Sequence, residues 1–370
     1  MGKLITCQLG DLIEFKNGKA IKPNNGIFPI YGGNGILGYS SEFSAERSLI
    51  VGRVGAYCGS VFFEKKKFWV SDNAILGVPK NSINAEYAYY LLKQLDLNSK
   101  HVGSSQPLLT QGILNSLKVS IYKDLLIQQK IAQVLSSLDR KIALNQQINA
   151  ELEKMAKTLY DYWFVQFDFP DENGNPYKSS GGEMVYNPEL KRDVPKGWEC
   201  DFVENYLDKV PNTDKIPSKE IQVKGQIPVI DQSQDYICGF TDNENALLEP
   251  IDAHIIFGDH TRVVKLVNFP YARGADGTQI IISNNKKLPN FLFYQMIAKI
   301  DLSNYGYARH YKFLKESKVL IPTEYIAQKY HQTVKPYFDL WKTNLKETQK
   351  LTQLRDFLLP MLMNGQVEVV

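Results

Sequence analysis

The stretch LLIQQKIAQVLSSLDRKIALNQQINAELEKMAKTLYDYWF, Leu125 to Phe164, decides the architecture. Read at alternating steps of four and three, it gives Ile127, Ile131, Val134, Leu138, Lys141, Asn145, Ile148, Leu152, Met155, Leu159 and Tyr162. Only Lys141 and Asn145 interrupt an apolar seam that persists for about five heptads. The stretch holds no proline or glycine, and its remaining positions are rich in Gln, Asn, Lys and Glu. At 1.5 Å per residue, about 40 residues make a helix of roughly 60 Å. A coiled-coil strut is therefore expected over a single core helix, with Asn145 setting register against a polar residue on a partner helix.

A second such segment spans Thr323 to Leu359, with Tyr330, Val334, Tyr337, Trp341, Asn344, Leu351, Leu354 and Leu358 on one side. Pro336 is expected to kink it or to mark its true start, and Pro360 followed by Asn364-Gly365 to end it. Aligned at a fixed offset, Asn145 matches Asn344, Leu152 matches Leu351, and Leu159 matches Leu358. The stretches ahead of the two helices echo one another as well. FPIYGGNGILGYS (Phe28 to Ser40) parallels IPVIDQSQDYICGFT (Ile227 to Thr241), and SLIVGRVG (Ser48 to Gly55) parallels HIIFGDHT (His254 to Thr261). YAYYLLKQLDL (from Tyr87) parallels FLFYQMIAKIDL (from Phe291), and KVSIY (from Lys118) parallels KVLIP (from Lys318). The chain is a diverged internal repeat of about 200 residues.

Each globular half reads as α+β, with short β-branched or aromatic runs, Gly turns and short helices. The expected fold is two such domains joined by two long antiparallel helices, related by a pseudo-two-fold repeat. Residues 1–124 form the first lobe and 125–169 the central helix. Residues 170–322 hold an irregular connector and the second lobe, and 323–370 the C-terminal helix and tail. The connector is expected from the Pro, Gly and Asn density of Pro170 to Glu199.

Composition excludes several classes. With 44% hydrophobic and 22% charged residues, the chain reads as soluble and globular. Its four cysteines form no CxxC pair, against a zinc site or disulfide framework. The N-terminal MGKLITCQLGDLIEF has no signal-peptide core, and no apolar run is long enough for a bilayer, so a cytoplasmic location is expected. Net charge is only +3, so any nucleic-acid surface must be local. No phosphate-binding GxxxxGK[ST] loop is present, and no GxGxxG is expected to follow a strand as a cofactor fold requires. His254, Asp259 and His260 fall in strand and turn rather than in a metal-ligand pattern, and no catalytic residue is assigned.

What the lobes do carry is polar and basic side chains among aromatics and Gly turns. In the first lobe these are Asn17, Lys19, Lys22, Tyr31, Asn34, Tyr39, Arg53, the run Lys65 to Lys67, and Ser104, Ser105 and Gln106. In the second they are Gln232, Gln234, His260, Arg262, Arg273, Tyr305, Tyr307, Arg309, His310 and Lys312. Arg pairs with guanine and Asn or Gln with adenine in the major groove, while Lys and Ser serve phosphates. The candidate DNA contacts are thus Asn17, Lys19, Lys22, Asn34, Arg53, Ser105, Gln106, Gln232, Gln234, His260, Arg262, Arg273, Arg309 and Lys312. Leu138, Asn145, Leu152, Leu159, Trp163, Trp341, Asn344, Leu351 and Leu358 are candidates for the helix spacer and subunit interface.

IQQKIAQVLSSLDRKIALNQQINAELEKMAKTLYDYWFVQFDFP (Ile127 to Pro170), GGEMVYNPELKRDVPKGWE (Gly181 to Glu199) and LTQLRDFLLPMLMNGQV (Leu351 to Val367) resemble the specificity subunits of type I restriction–modification enzymes. FPIYGGNGILGY and VSDNAIL (Val70 to Leu76) resemble that family's target-recognition domains. The second lobe departs from the pattern: IDQSQDYICGF replaces the Gly-rich turn, and FGDHTRVVKLVNF lacks the Gly-x-x-Gly spacing of the first lobe. The resemblance implies a chain without catalysis of its own, each lobe reading half of a split duplex DNA target. It implies two methyltransferase subunits using S-adenosylmethionine, and restriction subunits using ATP and Mg, as partners. A targeting subunit of another defence system, and a two-lobed protein-binding scaffold, are the alternatives.

Overall fold

The computed structural model describes residues 3–103, 107–275, 277–306 and 309–369. By contacts it divides into two units, 1–144 with 347–370, and 145–346. The two long helices, Leu125–Tyr160 and Glu324–Met363, contribute to both.

Each unit is built the same way. In the first, strand Leu4–Gln8 pairs antiparallel with Lys118–Tyr122, the last strand before the first long helix. In the second, Glu199–Phe202 pairs antiparallel with Lys318–Ile321, the last strand before the second long helix. The first lobe contains an antiparallel sheet in the order Ile13–Asn17, Ala74–Pro79, Ser48–Gly52, Val61–Glu64. The second lobe has the counterpart Val264–Val267, His254–Gly258, Thr278–Ile281. Beside each lies a second sheet with one parallel pair. Phe28–Gly32 runs with Trp69–Val70 in the first lobe, and Ile227–Ile230 with Tyr271–Arg273 in the second. The repeat read from sequence is therefore a repeat of topology.

Each lobe buries the start of the helix that follows it and the end of the other long helix. In the first unit Ile131, Ala132 and Leu135 share a core with Leu362, Met363, Tyr87 and Leu91. In the second, Ile326, Ala327, Tyr330 and Val334 share one with Ala156, Tyr160, Trp163 and Phe164. Within both units the two helices run antiparallel. Arg355 Nη1 lies 2.8 Å from Asp139 Oδ1 in the first unit, and the Tyr330 hydroxyl donates to the Ala156 carbonyl at 3.0 Å in the second.

The first helix starts where Asp124 caps it, its carboxylate accepting from the Leu126 N–H at 2.8 Å. It closes in a π-turn, Asp161–Val165, ahead of the left-handed Phe167. Its buried stripe runs through Gln128, Ile131, Ala132, Leu135, Ile142, Asn145, Leu152, Ala156, Tyr160 and Trp163. That stripe keeps Ile131, Asn145 and Leu152 of the expected seam and is shifted by one residue at the positions between, leaving Lys141, Met155 and Tyr162 exposed. The cause is that the inner face uses small Ala132 and Ala156 and the polar Gln128. Gln128 is bonded at both ends of its amide, donating to the Tyr122 carbonyl and accepting from the Asn84 N–H.

Three further expectations are corrected. Pro336 does not mark the start of the second helix, which begins at Glu324; Gln332, whose carbonyl loses its partner to the proline, is exposed. Pro360 lies within it, and only the expected Asn364-Gly365 stop ends it. The helix stops at Met363, where Gly365 adopts φ +75° and the Gln366 N–H returns to the Met361 carbonyl. The stretch after Pro170 is no loose connector: it holds the hairpin Met184–Asn187 with Arg192–Pro195, and Val194 and Trp198 enter the core. Phe169 stacks on both Tyr177 and Trp198, with centroids 4.6 and 5.2 Å apart. Its prolines and glycines shape turns over an aromatic platform.

Candidate nucleic-acid interface

Strand direction decides which candidates meet. In the second lobe the C-terminal ends of Ile227–Ile230, His254–Gly258 and Tyr271–Arg273 lie at one end of the sheets, with the N-terminal ends of Val264–Val267 and Thr278–Ile281. The turns that leave these ends carry Gln232, His260, Arg262 and Arg273. Gln232 Oε1 accepts from the His260 N–H at 3.1 Å, and its carbonyl accepts from Thr261 Oγ1 at 2.7 Å. Gly277, at φ +73°, lets this pair close in: a Cβ there would stand 2.7 Å from Gln232 Nε2 and 2.8 Å from His260 Cδ2.

Asp259, buried, fastens the next loop. Its carboxylate accepts from the Tyr311 N–H at 2.8 Å and its carbonyl from the His310 N–H at 2.9 Å. His310 is buried too, its ring nitrogens on the Asp259 and Tyr305 carbonyls. It organises the loop from within and does not face a ligand. Arg262 sits exposed with φ +61° and reaches the Leu302 carbonyl at 3.4 Å. Arg273 is half-buried. Burial lowers its guanidinium's affinity for a proton, and among the described residues its Nε has no hydrogen-bond partner. Such a group favours an arriving acceptor.

The first lobe repeats the layout. Gly33 packs beside Gly52, and Ser60 Oγ donates to the Gly33 carbonyl at 2.5 Å. The Arg53 N–H donates to Asn73 O, and the Leu109 N–H donates to Arg53 O. The Lys19 N–H donates to Val70 O, and Asn17 pairs with Ile75 at the same strand ends. Asn17, Lys19, Asn34 and Arg53 therefore occupy one end of that lobe, the first three exposed.

Other candidates do not join these clusters. Lys65, Lys66 and Lys67 follow Glu64, which pairs with Ser48 at the opposite end of its strand from Gly52. Lys65 is ion-paired to Glu86, and Lys67 lies over the Phe43 ring. Lys22 is exposed beside Pro23, which packs under Gly38. Gln234 and Arg309 are exposed, and Lys312 faces Glu316 at 3.9 Å. Ser104, Ser105, Gln106 and Tyr307 lie outside the described residues.

The interface candidates are largely packing within the chain. Asn145, Leu152, Trp163, Trp341 and Asn344 are buried, and Leu138, Leu159, Leu351 and Leu358 half-buried. The polar register pair is Asn344 with Asn149, Nδ2 to Oδ1 at 2.9 Å, and Asn149 also donates to the Trp341 carbonyl. Trp163 packs edge-on to Tyr330, so the aromatic cluster is core. Sequence reading missed Asp259, which the backbone bonds single out, and Lys265. The linear signal for Lys265 was a charge set in an apolar strand, and for Asp259 a carboxylate in the turn after one. Among the described residues no group of three or more His, Cys, Asp or Glu could hold a metal, and no helix is long and apolar enough to cross a membrane.

Two copies of an α+β lobe, each with polar strand-end turns and each clasping long helices, define a duplicated two-lobed protein. Comparison with known proteins carries this further. Residues 3–154 match the family model described as the type I restriction modification DNA specificity domain. The chain is 28% identical over 319 residues to the type I restriction enzyme MjaIX specificity subunit of Methanocaldococcus jannaschii, covering 79% of this chain and 71% of the relative. It is 26% identical over 330 residues to the HindI specificity subunit of Haemophilus influenzae, covering 70% and 71%. The crystal structure of a type I restriction–modification S subunit from M. genitalium shares the fold, with a TM-score of 0.64 over 98% of this chain and 96% of that one, at 18% identity. Residues 3–154 thus match that specificity domain, and most of the chain is similar in sequence to type I specificity subunits.

Proposed function

We propose that this subunit reads duplex DNA with one lobe per half of a two-part target and seats the methyltransferase and restriction subunits that act there. The observation that carries the reading is the recurrence in both lobes of one strand-end cluster, Asn17, Lys19, Asn34 and Arg53 in one and Gln232, His260, Arg262 and Arg273 in the other. These are the residue types that pair with base edges and phosphates. The chain itself supplies no catalytic group in this reading. Methyl transfer from S-adenosylmethionine and ATP- and Mg-dependent cleavage belong to the partners.

A phosphate-tracking surface releases counterions, so affinity falls with salt. For the complex with its methyltransferase on a fluorescent duplex, six or more phosphate contacts predict a loss of at least about 10³-fold between 50 and 200 mM salt. Arg262→Ala should flatten the log–log slope by about 1 if it contacts one phosphate. A salt-independent affinity would instead favour a protein-binding scaffold.

A further inference from the structure

The two lobes differ at one internal position in a way their shared topology makes plain. Counted from Gly52 and Gly258, the pairs Ile50–Phe62 and Ile256–Lys265 occupy the same place in the repeat. In the first lobe the position is apolar: the Phe62 ring stands 6.0 Å from that of Tyr31, beneath the Gly-rich turn that starts at Gly32. In the second lobe the same place holds a lysine whose side chain is only 4% exposed. An ammonium stays buried only where its donors are satisfied.

Lys265 Nζ donates to the Asp231 carbonyl at 2.8 Å and to the Asp235 carbonyl at 2.5 Å. The Asp231 carboxylate lies 3.9 Å from it and accepts in turn from the Ser233 N–H and Oγ. The ammonium thus spans the base of the turn 231–235, whose Gln232 is tied on its other side to His260 and Thr261. The turn has lost the glycines of its first-lobe counterpart and gained Asp, Gln, Ser, Gln and Asp. Its first and last carbonyls, of Asp231 and Asp235, point inward to the ammonium, while that of Gln232 accepts from Thr261 Oγ1.

We infer that Lys265 is a positioning residue that fixes the turn 231–235, and so sets the sequence preference of the half-site read by the second lobe. The inference rests on the DNA-reading proposal above, and extends it by naming a buried group that touches no DNA. Burial also weakens this lysine's hold on its proton, while Asp231 and Asp235 oppose that shift. The site therefore depends on the carboxyl-bearing turn as much as the turn depends on it.

Lys265→Met keeps length and bulk and removes the donors. In the methyltransferase complex, hydrogen–deuterium exchange at amides 232–236 should quicken about 10- to 100-fold, with the strand His254–Gly258 unchanged. Adenine methylation in cells should relax at one half of the target and stay intact at the other. Should this variant lower the thermal midpoint of the whole second unit, Lys265→Gln, which keeps a donor in the site, carries the same comparison. Unchanged exchange at 232–236 overturns the positioning role while leaving DNA reading untouched. Faster exchange with both half-sites preserved overturns the link from Lys265 to specificity. A wild-type complex that directs no two-part methylation defeats the parent reading instead.

Discussion

Tyr330→Ala is expected to destabilise the second unit by about 3–5 kcal/mol, the range for emptying a buried aromatic site. Tyr330 is fully buried and stands edge-on to Phe164, Trp163 and Tyr160, with centroids 5.2, 5.9 and 6.4 Å away. Its hydroxyl, pinned to the Ala156 carbonyl, fastens the second long helix to the first. Truncation removes the contact surface of three rings at once, and the flanking helices cannot close the space without losing their own packing. Tyr330→Phe keeps the rings and should cost only about 1 kcal/mol, the net worth of one hydrogen bond. Urea unfolding followed by tryptophan emission reads this directly, because Trp163, Trp198 and Trp341 all lie in the second unit. An alanine variant with the wild-type midpoint would mean that the helices are not held together there.

Acid should weaken the same unit through His254. This histidine is buried against the Tyr271 hydroxyl, 3.1 Å from Nδ1, and burial depresses its pKa to about 4. The unfolded chain's histidine binds its proton near pH 6.5. Between those values the unfolded state holds more protons than the folded one, so stability rises with pH. The His254 contribution is therefore complete above pH 6.5, drains as pH falls, and is gone below about 4. A shift of this size corresponds to roughly 3 kcal/mol. His331, also lowered chiefly by burial, adds with the same sign. His254→Gln should remove most of the slope between pH 6.5 and 4. An equally steep profile in that variant would place the acid sensitivity elsewhere.

The helices were legible because periodicity is a local property, and Leu125–Tyr160 and Glu324–Met363 carry it plainly. The buried face of the first was read one residue off at alternate positions, where Ala132, Ala156 and Gln128 fill the inner side, while Tyr330, Val334, Trp341 and Asn344 of the second are buried as read. Asn145 and Asn344 are both interior polar groups, and Asn344 bonds to Asn149 of the first helix. Proline misled where the exposed Gln332 lets water take the place of a helix bond. The strand-end clusters were legible only as residue types. Gln232, His260 and Arg273 are far apart in sequence, and which of them meet depends on strand direction. Lys265 was invisible for the same reason: in VVKLV it reads as an outward-facing charge on an edge strand, and only the turn above it shows why it points in.

The measurement that bears most directly on the account is a single-molecule methylome of cells expressing this chain with the methyltransferase subunit of its own system. Two recognition lobes on one chain predict new adenine methylation at a two-part motif with a fixed gap. Lys265→Met should blur one half of it. A competent methyltransferase that gains no such motif in the presence of this subunit would contradict the account.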